Sequence, residues 1–542
     1  MSILFNKGTK AVEGLSLDVS AENDVILIRT EAFAKLINLR LLKINSLRFS
    51  TGSYEKLSKD LRWLCWHRCP LQFLPPNLSL DNLVVLDLRF SNVKKVWKET
   101  KFLDKLKVLD LSHSIYLATT PDFARLTSLE RLQLEGCTGL TKLHQSIGNL
   151  GRLIVLNLAE CNNLRELPDN ICNLTSLETL NLKGCSRLSK FPAHLGKLEA
   201  LKRLVADGST ITELPTSFGL LKNLELLSLA GCKEELPANK FFFSFFSSWI
   251  SPKSVGSRTF LPGTLSNFPI LYHLCLKENK FYSLPVGVAN HPRIMALALD
   301  DCTNLQSIPE LPPNLLALKA ERCTSLVTFP KLTDIGTKLC FFITTNCPNK
   351  DFNEGLDLRY WKPRWHLSWK DGNLSPPFVL DDEVPLKEGV SSPKSKYLEA
   401  YFPATEVPDW FEYKEMGSSR LMFCMPLVPN GGRLDMILWV VHGVNEDYDG
   451  RSATSLTTFF KNKTKLCRTV DWSFVNTDDK GICQDHAWVS YYMGNHIFGD
   501  LEADQGDEIE VSVYGQGRNL VKKYGIYLKP VDIMSNDGNI DD

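Results

Sequence analysis

Leucines recur along most of this chain in one spacing, and that spacing sets the architecture. The segments SLERLQLEGCTGLTKL, RLIVLNLAECNNLRELP, SLETLNLKGCSRLSKFP and RIMALALDDCTNLQSIP share the pattern L-x-x-L-x-L-x-x-C-x-x-L. A further Leu, Phe or Ile follows, often with Pro. Taking the second leucine as marker gives Leu42, Leu64, Leu86, Leu109, Leu132, Leu156, Leu180, Leu204, Leu227, Leu274, Leu297 and Leu318. Successive markers lie 21 to 24 residues apart, except for one step of 47 after Leu227. That step is about twice the period, so a degenerate repeat or a long insertion lies within it. A period in this range signals a solenoid of stacked supersecondary units.

The alternation within x-L-x-L-x is that of a strand, with successive side chains on opposite faces. In the stretch 131–135, Leu132 and Leu134 point into the solenoid, while Arg131, Gln133 and Glu135 point out of it. One repeat cannot bury its own leucines; stacking about twelve makes a continuous core. The predicted fold is therefore an α/β leucine-rich-repeat solenoid, a horseshoe with a parallel sheet on its concave face. At about 4.8 Å per strand, twelve strands span roughly 55 Å, enough for a protein-sized partner. Pro75, Pro168, Pro192, Pro215, Pro237, Pro285, Pro309 and Pro330 follow the outer leucine and suit an irregular convex connection. Short helical turns are expected at segments such as 169–174.

The pattern breaks in two places. Over 234–268 the register is lost around the burst FFFSFFSSWI (241–250). Three readings stand open here: a long loop beside a degenerate repeat, a hydrophobic contact site, or retained non-coding sequence. After about residue 331 the leucine period ends. The expected organisation is a junction or cap over 1–20, repeats over 21–335, and a cap with linker over 336–396. A β-sandwich over 397–530 and a disordered acidic tail over 531–542 complete it. The cap contains Trp361, Trp365 and Trp369, four apart, with Pro363 opposing a helix at its start. The β-like texture rests on MILWVVHGV (436–444), HAWVSYYM (486–493), IEVSVYG (509–515) and YGIYLKP (524–530).

Composition narrows the function classes. Lys plus Arg and Asp plus Glu both number 62, so no net charge steers the chain to nucleic acid or an anionic membrane. The opening MSILFNKGTKAVEG has no secretory pattern, and the apolar burst is about half a membrane span. The 15 cysteines are then expected to be reduced thiols in the cytoplasm, with the nucleus as the alternative compartment. The sequons at Asn77, Asn173, Asn373 and Asn462 become chance matches.

Cys137, Cys161, Cys185, Cys232, Cys302 and Cys323 follow the repeat period rather than ligand spacing, and read as small buried residues at the strand exit. Cys65 with Cys69, and Cys340 with Cys347, are the other close pairs; neither has a His or Cys pair to complete a metal site. His67, His113 and His144 read as repeat connections, and His486 as a strand start. No phosphate loop, H-E-x-x-H, G-x-S-x-G or G-x-G-x-x-G occurs. No catalytic residue, cofactor or metal site is assigned, and the chain reads as a binding module rather than an enzyme.

Several segments resemble a known family. GTKAVEGLSLDVS (8–20), LRWLCWHRCPLQFLPPNL (61–78), LDLRFSNVKKVW (86–97) and LKVLDLSHSIYLATTPDF (106–123) are similar to the repeat entry and early repeats of plant TIR–NB-ARC–LRR immune receptors. HQSIGNL (144–150), VADGSTITELP (205–215) and LPPNLLALKAERCTSLVTFP (311–330) resemble the later ones. YFPATEVPDWFEYKEMGSSRLMFCMP (401–426) and the stretch from HAWVSYYMGN to VKKYGIYLKP resemble the post-repeat C-JID domain, a jelly-roll-like β-sandwich.

The resemblance implies a sensor that binds a pathogen effector through repeats and C-JID, with possible partners extending to TIR- or NB-ARC-containing chains. It implies a chain without the TIR and nucleotide-binding parts, whose residues have no positions here to be carried onto. The candidate protein-binding residues are Arg131, Gln133, Glu135, Asn157, Thr179, Asn181, Lys183, Arg203 and Asp207 in the repeats. In the β-domain they are the loops 446–451 and 495–500, with Asn495 and Asp500. A non-immune scaffold binding a host protein is the alternative. An extracellular receptor would predict a signal peptide and L-x-G-x-I-P repeats, and neither is found.

Overall fold

The structure, a computed structural model, describes residues 11–18, 27–28, 30–45, 48–49, 54–211, 214–232, 268–284, 286–308, 310–329, 339, 341–345, 347, 396–417, 420–427, 432–444, 455–474, 485–492, 494–516 and 519–532. The chain divides into two units, Met1–Leu276 and Lys277–Asp542.

In the first unit the marker leucines sit at the centres of short parallel strands. Leu42 pairs with Leu64, Leu64 with Leu86, and the register continues through Leu109, Leu132, Leu156, Leu180, Leu204 and Leu227. The markers and the leucines two residues on are buried, as the alternation requires. An earlier rung exists that the leucine count did not include: Gly14–Asp18 pairs with Leu41–Asn45, Leu15 opposite Leu42. The long step also resolves. Leu226–Ser228 pairs directly with His273–Cys275, so the two marker strands are neighbours in the sheet despite the 47-residue step. Residues 233–267, with the Phe-rich burst, lie outside the described residues.

From Trp63–His67 onward, each strand of this unit leaves through one tight turn. The residue four beyond the marker takes a positive φ: Arg68, Phe90, His113 and Glu160 without glycine, and Gly136, Gly184, Gly208 and Gly231 with it. In that pose the amide reaches the next repeat. The N–H of His113 donates to the Glu135 carbonyl at 2.6 Å, and that of Gly136 to Ala159 at 2.8 Å. The next residue is the recurring cysteine. Cys137, Cys161 and Cys185 are fully buried, and each Sγ–H donates to a carbonyl of the preceding repeat at 3.2 Å. Burial pushes the Cys137 and Cys185 thiols up to about 12, so they behave as inert core donors. On the opposite side the chain makes single 3₁₀ turns, among them Gln145–Asn149, Asp169–Asn173 and Thr216–Leu220. Two of these begin after Pro168 and Pro215, whose missing N–H costs nothing at a helix start.

In the second unit, Ala296–Ala298, Ala317–Lys319 and Phe341–Ile343 continue as parallel strands. The last lies beyond the point where the leucine period ends. Phe342 replaces the marker leucine opposite Leu318, and Cys347 donates to the Ala320 carbonyl at 3.1 Å, so the strand and thiol persist after the leucines stop. Phe341–Ile343 then pairs in parallel with Lys396–Pro403, Phe342 opposite Ala400. From there the sheet is antiparallel, in the order Lys396–Pro403, His486–Tyr492, Gly432–Val444, Asn519–Asp532, Tyr413–Met416. A four-stranded antiparallel sheet runs Arg420–Cys424, Glu508–Gln516, Ser455–Asn462, Arg468–Phe474. Met436, Leu438, Trp488 and Tyr524 of the first sheet share one buried cluster with Phe423, Phe460, Val511 and Val513 of the second. Residues 348–395, with the three tryptophans of the predicted cap, and the tail 533–542 lie outside the described residues.

Candidate functional site

The strand registers of the first unit arrange its outward side chains in rows. One row runs Trp63, Val85, Val108, Arg131, Val155, Thr179, Arg203, Leu226, His273. The next, two residues along each strand, runs Cys65, Asp87, Asp110, Gln133, Asn157, Asn181, Val205, Ser228, Cys275. Every repeat residue proposed from the sequence therefore lies on this face or at its exit turn.

The structure divides those candidates by what else they do. Arg131 and Arg203 are exposed, in one row, with Val155 and Thr179 between them. Three strand spacings separate the two arginines, roughly 14 Å. Asn157 and Asn181 are half-buried and hold the backbone: their Oδ1 atoms accept the N–H of Ala159 and Lys183, each at 3.0 Å. Asn157 also donates to Glu135 at 3.0 Å. Asp207 accepts the Ser228 hydroxyl at 2.6 Å and the Ala230 N–H at 2.8 Å. These are side chains with a structural task at the strand exit, the two asparagines in the manner of an Asx turn and Asp207 by bonds to the next repeat. Gln133, Thr179 and Lys183 are half-exposed on the face.

A second group on this face escaped the sequence reading. Cys65 and His67, two apart on one strand, point the same way, and the register sets Asp87 opposite Cys65. The Cys65 Sγ lies 3.1 Å from His67 Nε2 and 3.6 Å from Asp87 Oδ2; His67 Nε2 is 2.9 Å from the same oxygen. Arg89 also clasps Asp87, with Nη2 2.8 Å from the same Oδ2 and Nε 3.0 Å from Oδ1. Its backbone N–H adds a bond to Oδ1 at 3.2 Å. Burial raises the Asp87 carboxyl, but the bonds from Arg89 and His67 outweigh it and hold the group below its usual range. Burial first, then the Asp87 charge, pushes the Cys65 thiol up to about 12.

Cys69, read in the sequence as the partner of Cys65, is instead wholly buried, its N–H donating to Ser91. His67 ends a strand rather than lying in a connection, whereas His144 caps a 3₁₀ turn through its ring nitrogen. The signal for the cluster was the two-residue spacing combined with the 22-residue period, read together.

Beside it lie exposed apolar side chains at and beyond the strand exits. Phe90 is half-exposed and stacks on His113 at 4.8 Å, and Ile115 and Tyr116 are also exposed.

In the second unit, Asp500 is exposed at the end of the helix Gly494–Asp500. The side chain of Asn495 and the loop 446–451 lie outside the described residues. The helix is anchored by Asp435, which is fully buried and accepts the Gly494 N–H and the Tyr491 hydroxyl, each at 3.0 Å. Arg433 balances its charge at 2.8 Å. Gly494 is required here, because a Cβ would lie 1.6 Å from the Leu434 carbonyl oxygen.

A family model described as "Leucine-rich repeat region" matches residues 118–241. Over 549 residues the chain is 28% identical to Disease resistance protein RPS4B of Arabidopsis thaliana, an alignment covering 93% of this chain and 43% of the relative. It is 32% identical over 470 residues to Disease resistance-like protein CSA1 of the same plant, covering 80% of this chain and 38% of the relative. This chain is thus homologous to Arabidopsis disease resistance proteins over most of its length, while spanning less than half of theirs. Among solved structures, a leucine-rich-repeat protein of Leptospira interrogans matches with a TM-score of 0.44 at 22% identity, covering 59% of this chain and 81% of that one. Among the described residues, no helix is long and apolar enough to cross a membrane.

Proposed function

We propose that this chain is the sensing portion of a plant immune receptor, binding a pathogen effector protein through the outward face of its repeats and through its C-terminal sheets. The observation that carries this reading is similarity to disease resistance proteins across 93% of the chain, repeats and C-terminal sheets alike. The two sheets that share one core are read as the C-JID-like β-sandwich expected over 397–530. On the repeat face, Arg131, Lys183 and Arg203 offer positive charge to a partner, with Glu135 and Asp207 interspersed. Binding rather than catalysis is the proposed role, in the cytoplasm.

The purified chain is screened against secreted proteins of plant pathogens, and the partner found is titrated against the triple variant R131E/K183E/R203E. Reversal of three interface charges is expected to weaken binding by about 100-fold. The melting temperature should change little, because Arg131 and Arg203 are exposed and Lys183 half-exposed. Undiminished binding would remove the recognition site from this face. A single stoichiometric host partner recovered from uninfected tissue, with no pathogen protein bound, would favour the scaffold reading instead.

A further inference from the structure

Cys65, His67 and Asp87 supply one soft sulfur, one imidazole nitrogen and one carboxylate oxygen, the donor set of a protein zinc site. We infer that these three side chains form a binding site for a divalent transition-metal ion, zinc first, on the second and third marker repeats, with a fourth position open to water or a partner's side chain. The three donor atoms all lie within 4.8 Å of one another. Their separations of 3.1, 2.9 and 3.6 Å leave a point roughly 2.0–2.3 Å from each, the range of zinc bonds to oxygen, nitrogen and sulfur.

The surroundings fit a metal ligand set. Two donors come from one strand, two residues apart, and the third from its hydrogen-bonded neighbour, so the sheet itself fixes their spacing. Asp87 is oriented by Arg89 through both carboxylate oxygens and by the Arg89 N–H, an outer-shell bond of the kind ligating carboxylates normally have. Cys65 is buried, while the His67 side chain keeps 19% exposure to solvent. A thiolate and a carboxylate set two negative charges against the dication and the Arg89 guanidinium, and metal binding releases the thiol proton. The site is independent of the proposed effector-binding role.

The test is cobalt and zinc titration of the reduced 542-residue chain. One equivalent of Co²⁺ should give the visible bands of a tetrahedral ion together with a thiolate-to-cobalt charge-transfer band in the near ultraviolet. Zn²⁺ should bleach both. Cys65→Ser should abolish the charge-transfer band. His67→Gln, at a position with 19% side-chain exposure, should weaken Zn²⁺ binding by about 100-fold or more. Cys424→Ser, which removes an exposed thiol in the C-terminal sheets, should change nothing. Absence of a cobalt band at millimolar metal, or its persistence in both Cys65→Ser and His67→Gln, would overturn the site and leave a hydrogen-bonded triad only. Since His67→Gln keeps the buried Cys65 and Asp87 in place, a misfolded Cys65→Ser would still leave the inference decidable.

Discussion

Two stretches of one sheet face obey the same repeat geometry with different chemistry. In the front stretch the second outward position carries Cys65, Asp87 and Asp110; in the middle stretch it carries Gln133, Asn157 and Asn181. Where the position is Asp or Asn, both sets close the strand exit by the same bond. Asp110 accepts the Ser112 N–H at 2.9 Å, and Asn181 accepts that of Lys183 at 3.0 Å. The left-handed turn that follows differs as well. It falls on Arg68, Phe90 and His113 in front, and chiefly on Gly136, Gly184 and Gly208 in the middle. An L-residue in that conformation costs roughly 1–2 kcal/mol. The front therefore tolerates strain and clustered charge that the middle avoids, and strain of this sort collects where side chains have work beyond folding. The difference shows that an Asx turn needs only an acceptor, whereas a charged cluster needs a reason.

The comparison breaks most directly at Asp87. Asp87→Ala strips the partner from Arg89 and His67 at a largely buried position, and should lower repeat stability by about 3 kcal/mol. Asn181→Ala removes one neutral acceptor and should cost about 1 kcal/mol. Urea unfolding followed by repeat-region fluorescence checks both; equal costs would mean that the two stretches differ in chemistry alone.

At the far end of the first outward row, acid acts on the same face through His273. Burial, then the charge of Arg203, lowers its pKa from 6.5 to about 4. The neutral ring is the folded form, so the unfolded chain binds more protons between those values. The stability it contributes is fully present above pH 6.5 and is lost as pH falls towards 4, on the order of 3 kcal/mol in all. Asp87, with its carboxyl held low, has the same sign, but its contribution is lost only below the ordinary carboxylate range. His273→Gln should flatten the melting-temperature profile between pH 6.5 and 4 and leave the steeper acid limb in place. A profile unchanged by the substitution would place the titration elsewhere.

How much of this was legible depended on which period carried the information. The solenoid, its strands and its cysteine ladder follow from Leu and Cys spacing, since each repeats a packing need. The rungs at Leu15 and Phe342 were harder to see: one lies before the counted markers, and the other uses a phenylalanine in a leucine's place. The direct pairing of Leu227 with Leu274 is a spatial fact that a 47-residue gap leaves open. On the face, Arg131 and Arg203 were legible as outward residues, but the tasks of Asn157, Asn181 and Asp207 were not. Those depend on hydrogen bonds two or more than twenty residues away. Cys65 was set against Cys69 because the eye pairs like with like. Strand alternation separates those two and brings in His67 and Asp87.

Backbone strain gives finer tests. Gly136→Ala places a Cβ at φ +65, where it would lie 2.3 Å from His113 Nδ1, and should cost about 1–2 kcal/mol in the same unfolding assay. A neutral result would mean that the His113 ring moves aside freely, and the strain attributed to the front stretch would then be smaller than its dihedral angles imply.

The smallest effect is the most discriminating. Glu160 sits at φ +57 with an exposed side chain, so Glu160→Gly should relieve strain and raise stability by about 0.5–1 kcal/mol after the entropy cost of glycine. Phe90 has nearly the same backbone, φ +60, but its ring stacks on His113 at 4.8 Å. Such a ring contact is worth about 0.5–1.5 kcal/mol, so in Phe90→Gly the gain and the loss should nearly cancel. If both variants gain equally, the Phe90 ring contributes nothing to folding in the isolated chain. An exposed aromatic kept in a strained pose without a folding return would then mark the front stretch, rather than the middle, as the part of the face held ready for a partner.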